Sequence, residues 1–297
     1  MEKYDEFLEE RFKKTIQEID KFTYLKTNID GMNFLYHYTD INGFLGIFNT
    51  KSLWASNAFF LNDSTEIEYG VKLSYDLFSS FYQSIKSDKV KEMLKGFYED
   101  YSGFVLSSNL FLISFCEDGD LLSQWRGYAP NNDGLSLKFN LSVIRTLPQF
   151  NLYKVVYDKE TQLIILYHLF DLLNDFMNYL EQTKPRSFLH YFNSWITIFT
   201  TIILTFKDNS FSEEKEWRLI HNFDAVGNNK IIEYRIKNDY VLPYVKIEKL
   251  NLVNLINGII VSPTSRKQIL KKSINYYLDM NQYNSISVCL SKIPYRK

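Results

Sequence analysis

The first apolar positions of the chain, Phe7, Leu8, Phe12, Ile16 and Ile19, recur at helical spacing among acidic and basic residues and predict an amphipathic helix over 3–24. The period then changes. Phe34 to Thr39 reads as a strand, Asp40 or Thr39 can cap a short helix over Ile41 to Phe48, and Ser52 to Ser56 is extended again. Asp63 with Glu66 makes a capping-box-like start to a helix reaching about Phe81, and a charged helical stretch from Lys89 to Phe104 leads to the strand Leu110 to Cys116. Asn131-Asn132-Asp133-Gly134 signals a turn before the alternating strand Leu135 to Phe139.

From Thr161 to Phe206 the chain is rich in Leu, Ile and Phe at helical intervals, with Pro185 between two expected helices. This predicts a helical hairpin, over about 159–208, inserted between strand-rich parts. Strands resume at Glu216 to His221, Lys230 to Ile236 and Gly258 to Val261; Ser262 and Pro263 then suit the N-cap and first turn of a helix, and Ser285 to Leu290 forms a last strand. Helices and strands mix without a regular βαβ rhythm, which favours α+β over a doubly wound fold. With no repeat, low-complexity segment or Pro/Gly/Ser-rich linker, residues 1–297 are expected to form one domain.

Composition narrows the function classes. A formal net charge of -1 gives no global drive towards nucleic acid or an anionic membrane. Two cysteines, Cys116 and Cys289, are too few for a disulfide scaffold, and each follows apolar residues in a strand-like run, where a buried inert thiol is expected. The N-terminal segment carries alternating charges rather than a leader-like apolar stretch, and the most apolar run, Trp195 to Phe206, falls short of the roughly 20 residues a membrane helix needs. Cytoplasmic residence without membrane attachment is the expectation. The chain has no Gly-rich dinucleotide fingerprint, P-loop, zinc-helix motif or nucleophile elbow, and no pair of its four histidines has ligand spacing on one helix face.

Three separated blocks carry the candidate chemistry: Tyr36-His37-Tyr38-Thr39, Gln124-Trp125-Arg126-Gly127-Tyr128 and Glu213-Glu214-Lys215-Glu216-Trp217-Arg218. Each mixes hydrogen-bonding or ionisable groups with large aromatics, as a pocket for a flat, charged ligand does. Alternation puts Leu35, His37 and Thr39 on one face of the first strand and Tyr36 and Tyr38 on the other. It likewise puts Glu216 and Arg218 together, with Trp217 and Leu219 opposite as core anchors. A carboxylate aimed by a buried tryptophan is one reading of Glu216, and an exposed Glu216–Arg218 surface pair is the other. His37 is open to a core reading as well. A helix over Leu121 to Ala129 would bring Gln124 and Tyr128 to one face and turn Trp125 elsewhere, into a core more often than onto a ligand.

The ordered set Leu35-Tyr36-His37-Tyr38-Thr39, Leu53-Trp54-Ala55-Ser56-Asn57, Leu61-Asn62-Asp63 with Glu66, Ser114-Phe115, Trp125-x-x-Tyr128-Ala129 with Gly134, and Glu214-Lys215-Glu216-Trp217-Arg218 resembles the bacterial domain-of-unknown-function family numbered 2971. The resemblance runs from about Phe34 to Pro294. That family is in turn distantly similar to the ADP-ribosyltransferase superfamily, which implies a split mixed sheet with surrounding helices and NAD as substrate.

On that resemblance His37 corresponds to a first-strand histidine that hydrogen-bonds a ribose hydroxyl of NAD. Glu216 corresponds to the late catalytic glutamate, with Glu213 and Glu214 as rivals. Trp54, Trp125 and Tyr128 compete as the nicotinamide-stacking aromatic, and Thr39, Ser56, Ser114, Gln124 and Arg218 complete the expected binding set. Breaking the nicotinamide–ribose bond builds an oxocarbenium-like centre that a carboxylate stabilises. The resemblance therefore implies ADP-ribosyl transfer to a protein, nucleic-acid or small-molecule acceptor, or NAD hydrolysis, as in bacterial toxins and phage-defence effectors. Two alternatives stand beside it: a non-catalytic nucleotide-sensing or partner-binding module, and a magnesium-dependent nuclease or hydrolase using Asp63, Glu66, Glu213 and Glu216. The acceptor and the oligomeric state are left open.

Overall fold

The structure, a computed structural model, describes residues 3–23, 31–60, 64–106, 110–128, 133–183, 188–222, 232–237 and 240–294. Its strands are β1 Phe34–Thr39, β2 Leu53–Asn57, β3 Leu110–Cys116, β4 Leu135–Asn140, β5 Phe150–Lys154, β6 Glu216–Asn222, β7 Glu233–Lys237, β8 Tyr240–Ile247, β9 Ile256–Val261 and β10 Ser287–Leu290. The helices are α1 Lys3–Thr23, α2 Ile41–Thr50, α3 Ser64–Ser84, α4 Asp88–Glu99, α5 Tyr101–Leu106, α6 Leu122–Tyr128, α7 Leu141–Ile144, α8 Lys159–Thr183, α9 Phe188–Ile203, α10 Leu252–Leu255 and α11 Lys267–Met280. Together they make an α+β fold on one 10-stranded sheet, antiparallel except where β10 joins β9.

β3 organises that sheet. Its run of apolar residues suits a strand covered on both faces, with Leu110 and Leu112 entering one core and Phe111, Ile113 and Phe115 the other. The first core lies under α1, α3, α4, α5, α8 and α9; the second lies under α2, α7, α10 and α11. One edge of β3 is filled along its length by β6, from Leu110↔Asn222 to Cys116↔Glu216. β1 and β2 therefore share the other edge, β1 at Cys116 and β2 at Leu112 and Phe111. From there the sheet divides. β1, β4, β9 and β10 form one wing, and β2, β8 and β7 form the second, with a seam between them beside residues 113–115.

The helix bridging the wings is locally specified. Asp40 caps α2 by accepting the Gly43 amide at 2.7 Å, and Phe44, Ile47 and Phe48 form its buried stripe. A Cβ at Gly43 would lie 2.0 Å from the Thr39 hydroxyl, so any larger residue there would force the Thr39 side chain to move. The expected pair of long apolar helices is present as α8 and α9, where Leu169, Phe170, Leu173, Trp195 and Phe199 are buried. Among the described residues no helix is long and apolar enough to cross a membrane.

Several sequence expectations need correction. The stretch Lys89 to Phe104 breaks at Asp100 into α4 and α5. Ser262 does not open a helix: its hydroxyl accepts the Gly134 amide at 2.9 Å, and α11 starts later, at Lys267. Cys289 is exposed, because β10 is an edge strand with one face uncovered, whereas Cys116 is buried as expected. β5 and β8 were not anticipated, the latter because Pro243 argues against a strand interior. The predicted cap Asp63, the turn residues Asn131 and Asn132, Ala129 and Pro185 lie outside the described residues.

Candidate functional site

Register brings two of the three blocks together. Tyr36 stands opposite Cys116, and Cys116 opposite Glu216, so β1, β3 and β6 form one continuous row. Glu216 and Arg218 share a face, while Trp217 and Leu219 anchor the opposite core, as alternation predicts. The pair is not on the surface, however. Glu216 is 4% and Arg218 3% exposed, because the chain leaving α9 at Leu204 to Lys207 covers them. Arg218 clamps the carboxylate through Nε to Oε1 at 2.8 Å and Nη2 to Oε2 at 2.9 Å, and a third donor, Nη1, reaches the Leu204 carbonyl. Lys207 lies 3.4 Å from Glu216 Oε2 and 2.6 Å from Glu214 Oε2. The rival Glu214 is thereby engaged, and Glu213 is exposed.

Burial by itself would lift the Glu216 carboxyl. The Arg218 guanidinium and then the Lys207 ammonium outweigh it, with hydrogen bonds from Arg218 and the Ser114 hydroxyl, and hold it down at about 2. Glu216 is ionised at any ordinary pH. Cys116 behaves oppositely: burial, reinforced by Glu216, pushes its thiol well up and keeps it protonated.

His37 belongs to the face opposite Glu216, with Leu137, Phe115 and Phe139, and meets the row only at the Ser114 backbone in the seam. It is half-buried against Phe115 and Phe139, and its Nδ1 lies 2.9 Å from the Ser114 carbonyl oxygen. A carbonyl only accepts, so Nδ1 carries the hydrogen and Nε2 of the neutral ring is left as an acceptor. Burial, helped by the positive Arg235, lowers the imidazole below its ordinary value and favours that neutral form. Ser114 thus bears on both groups, its carbonyl bonded to His37 and its hydroxyl helping to keep Glu216 ionised. It is also the one residue of β3 that is not buried. Solvent reaches the middle of the sheet at this point.

The second block supports the row without entering it as a unit. α6 packs on β1, where Trp125 is buried against Tyr38 at 4.8 Å between ring centroids. This is the core reading of Trp125. Gln124 is buried and Tyr128 exposed, so their shared helix face straddles the protein boundary. Asp120 fixes α6 by accepting from Trp125 Nε1 at 2.8 Å, Ser291 Oγ at 2.6 Å and the Lys292 amide at 2.7 Å. Asp120→Ala would leave the indole N–H without its partner and is expected to cost about 2 kcal/mol, read from urea unfolding. An unchanged denaturation midpoint would remove the aspartate from the account of how α6 is held.

The second wing supplies Trp54 and Ser56, together with a residue the sequence reading missed, Arg235. Ser56 pairs with Tyr244, and Glu233 with Tyr244, so Trp54, Ser56, Tyr244 and Arg235 share one face. Arg235 Nη2 donates to Ser56 Oγ at 2.9 Å, and the guanidinium carbon lies 5.3 Å from the Trp54 ring centroid and 5.5 Å from that of Tyr244. Its charge helps to lower the His37 imidazole, and Asp40 in turn favours the charged form of Arg235. Strand alternation in Glu233-Tyr234-Arg235-Ile236-Lys237 was the sole local signal. Thr39 packs against Gly43 at the start of α2. For the magnesium alternative, no group of three or more His, Cys, Asp or Glu placed to hold a metal occurs among the described residues, and Asp63 lies outside them.

Residues 124–219, roughly a third of the chain, match the family model described as Protein of unknown function (DUF2971). The match begins at Gln124 in α6 and ends at Leu219 in β6, so it takes in the second and third blocks and the long helices between them. No curated protein and no solved structure matches the chain.

Proposed function

We propose that the chain binds NAD in the seam between β1 and β2 and belongs, by reaction class, with the ADP-ribosyltransferases or NAD glycohydrolases. The observation that carries this reading is Ser114, half-buried within an otherwise buried central strand, with its carbonyl on the His37 ring and its hydroxyl helping to hold Glu216 ionised. The bare Nε2 of His37 suits a ribose hydroxyl. The Ser114 hydroxyl shares its face of the sheet with a carboxylate that is always ionised, the charge an oxocarbenium-like centre requires. In this reading Arg218 and Trp217 position Glu216, and the acceptor is a protein, a nucleic acid, a small molecule or water.

One observation favours a second reading, nucleotide sensing without turnover. Both oxygens of Glu216 are already committed to Arg218, and Lys207 further neutralises the charge. Nicotinamide release from NAD, with and without cell extract as acceptor source, separates the two when set beside calorimetric NAD binding. His37→Ala and Glu216→Gln are both expected to slow turnover by about tenfold or more, with folding checked by circular dichroism. NAD binding that survives in folded Glu216→Gln, with no nicotinamide released by any form, would favour the sensing module. Absence of NAD binding by the wild-type chain would end the NAD reading and leave sensing only of another nucleotide.

A further inference from the structure

We infer that Arg235, presented with the Ser56 hydroxyl beside the rings of Trp54 and Tyr244, is an anchor for the phosphate groups of a nucleotide-like ligand. The inference rests on the seam being a ligand site, but it does not require NAD to be that ligand. The guanidinium is half-buried, yet among the described residues it makes one side-chain hydrogen bond, to Ser56, and has no carboxylate at ion-pair distance. Its Nε is buried and has no hydrogen-bond partner among the described residues. A guanidinium has five N–H donors, so most of its capacity is unused among these groups.

Among the described residues, Glu233 and Asp40 are committed elsewhere. Glu233 pairs with Lys246 at 2.6 Å and accepts from the Tyr244 hydroxyl at 2.9 Å, while Asp40 caps α2. Burial accordingly weakens the hold of Arg235 on its proton, in spite of Tyr244 and Asp40. An arginine kept for structure would be neutralised by one of these carboxylates. An arginine kept for an oxyanion is left like this one, desolvated, braced by two aromatic faces and with most of its N–H donors unused among the described residues. A phosphate ester or diphosphate supplies both the charge and the planar pair of acceptors that this fork lacks. A nucleotide whose sugar reaches His37 would carry its phosphates towards this wing.

The test is titration of the full chain with sodium pyrophosphate and with ADP-ribose, followed by calorimetry and by tryptophan fluorescence, since Trp54 lies against the guanidinium. Arg235→Met is expected to weaken pyrophosphate binding by about tenfold or more, and Arg235→Lys, which keeps the charge but loses the fork, by a smaller factor. The ligand-free melting temperature of Arg235→Met should hold or rise, because an unpaired, half-buried charge has been removed. Pyrophosphate binding unchanged in Arg235→Met, or no pyrophosphate binding by the wild-type chain, overturns the anchor. So does a lower melting temperature in Arg235→Met that Arg235→Lys restores with no change in affinity, which marks a structural arginine. Failure of the dinucleotide reading looks different: pyrophosphate would bind through Arg235, while NAD bound no more tightly than pyrophosphate and His37→Ala changed neither.

Discussion

Arg218→Met is expected to destabilise the fold by about 3 kcal/mol or more, because removing one member of a buried pair strands the other charge away from water. Glu216 would lose both charge-assisted bonds at 2.8 and 2.9 Å and retain Lys207 at 3.4 Å. That remaining contact places the loss towards the lower end of the usual range. The double change Glu216→Gln with Arg218→Met should recover much of it, since the uncompensated carboxylate disappears. Urea unfolding of both variants measures the difference, and a single-variant loss below about 1 kcal/mol would mean that the pair is solvated.

The same pair sets an acid limit. The Glu216 carboxyl sits at about 2 in the folded chain against an ordinary 4.5, so the folded state binds its proton less readily than the unfolded state. Its contribution is complete above 4.5 and is lost as pH falls from 4.5 through about 2. The size is of order 3 kcal/mol. Glu216→Gln should flatten that part of the stability profile.

Trp217→Ala carries the second large effect, about 3–5 kcal/mol. The ring is fully buried in the core opposite Glu216, and its Nε1 donates to Glu117 Oε1 at 3.0 Å. Glu117 in turn holds Lys154 of β5 at 2.9 Å, so the truncation opens a cavity and loosens the β5–β6–β3 unit that aims Glu216. Trp217→Phe should retain most of the packing and lose chiefly the hydrogen bond. Thermal and urea unfolding of the three forms would rank them. Equal stability of the alanine variant and the wild type would contradict the burial on which the positioning argument rests.

Local pattern accounts for much of the site. Alternation assigned Trp217 and Leu219 to a core and Glu216 with Arg218 to the other face, and helical spacing in α6 turned Trp125 inward. Asp40 as a cap, the strand at Phe34–Thr39 and the strand at Leu110–Cys116 were also legible, because each depends on neighbours within a few residues. β8 was hidden by Pro243, and Arg235 by its ordinary setting among charged and apolar residues of an edge strand.

The sequence by itself determined the α+β class, the faces of its strands and the identities of the charged and aromatic groups, since periodicity and side-chain chemistry are local properties. Only the tertiary structure decided that Glu216 and Arg218 are buried, that Lys207 joins them, that the Ser114 carbonyl meets His37 in the seam, and that Arg235 has no carboxylate partner among the described residues. Desolvation and pairing depend on which distant segments cover a group: the chain after α9 for Glu216, and the divergence of β1 and β2 for Ser114.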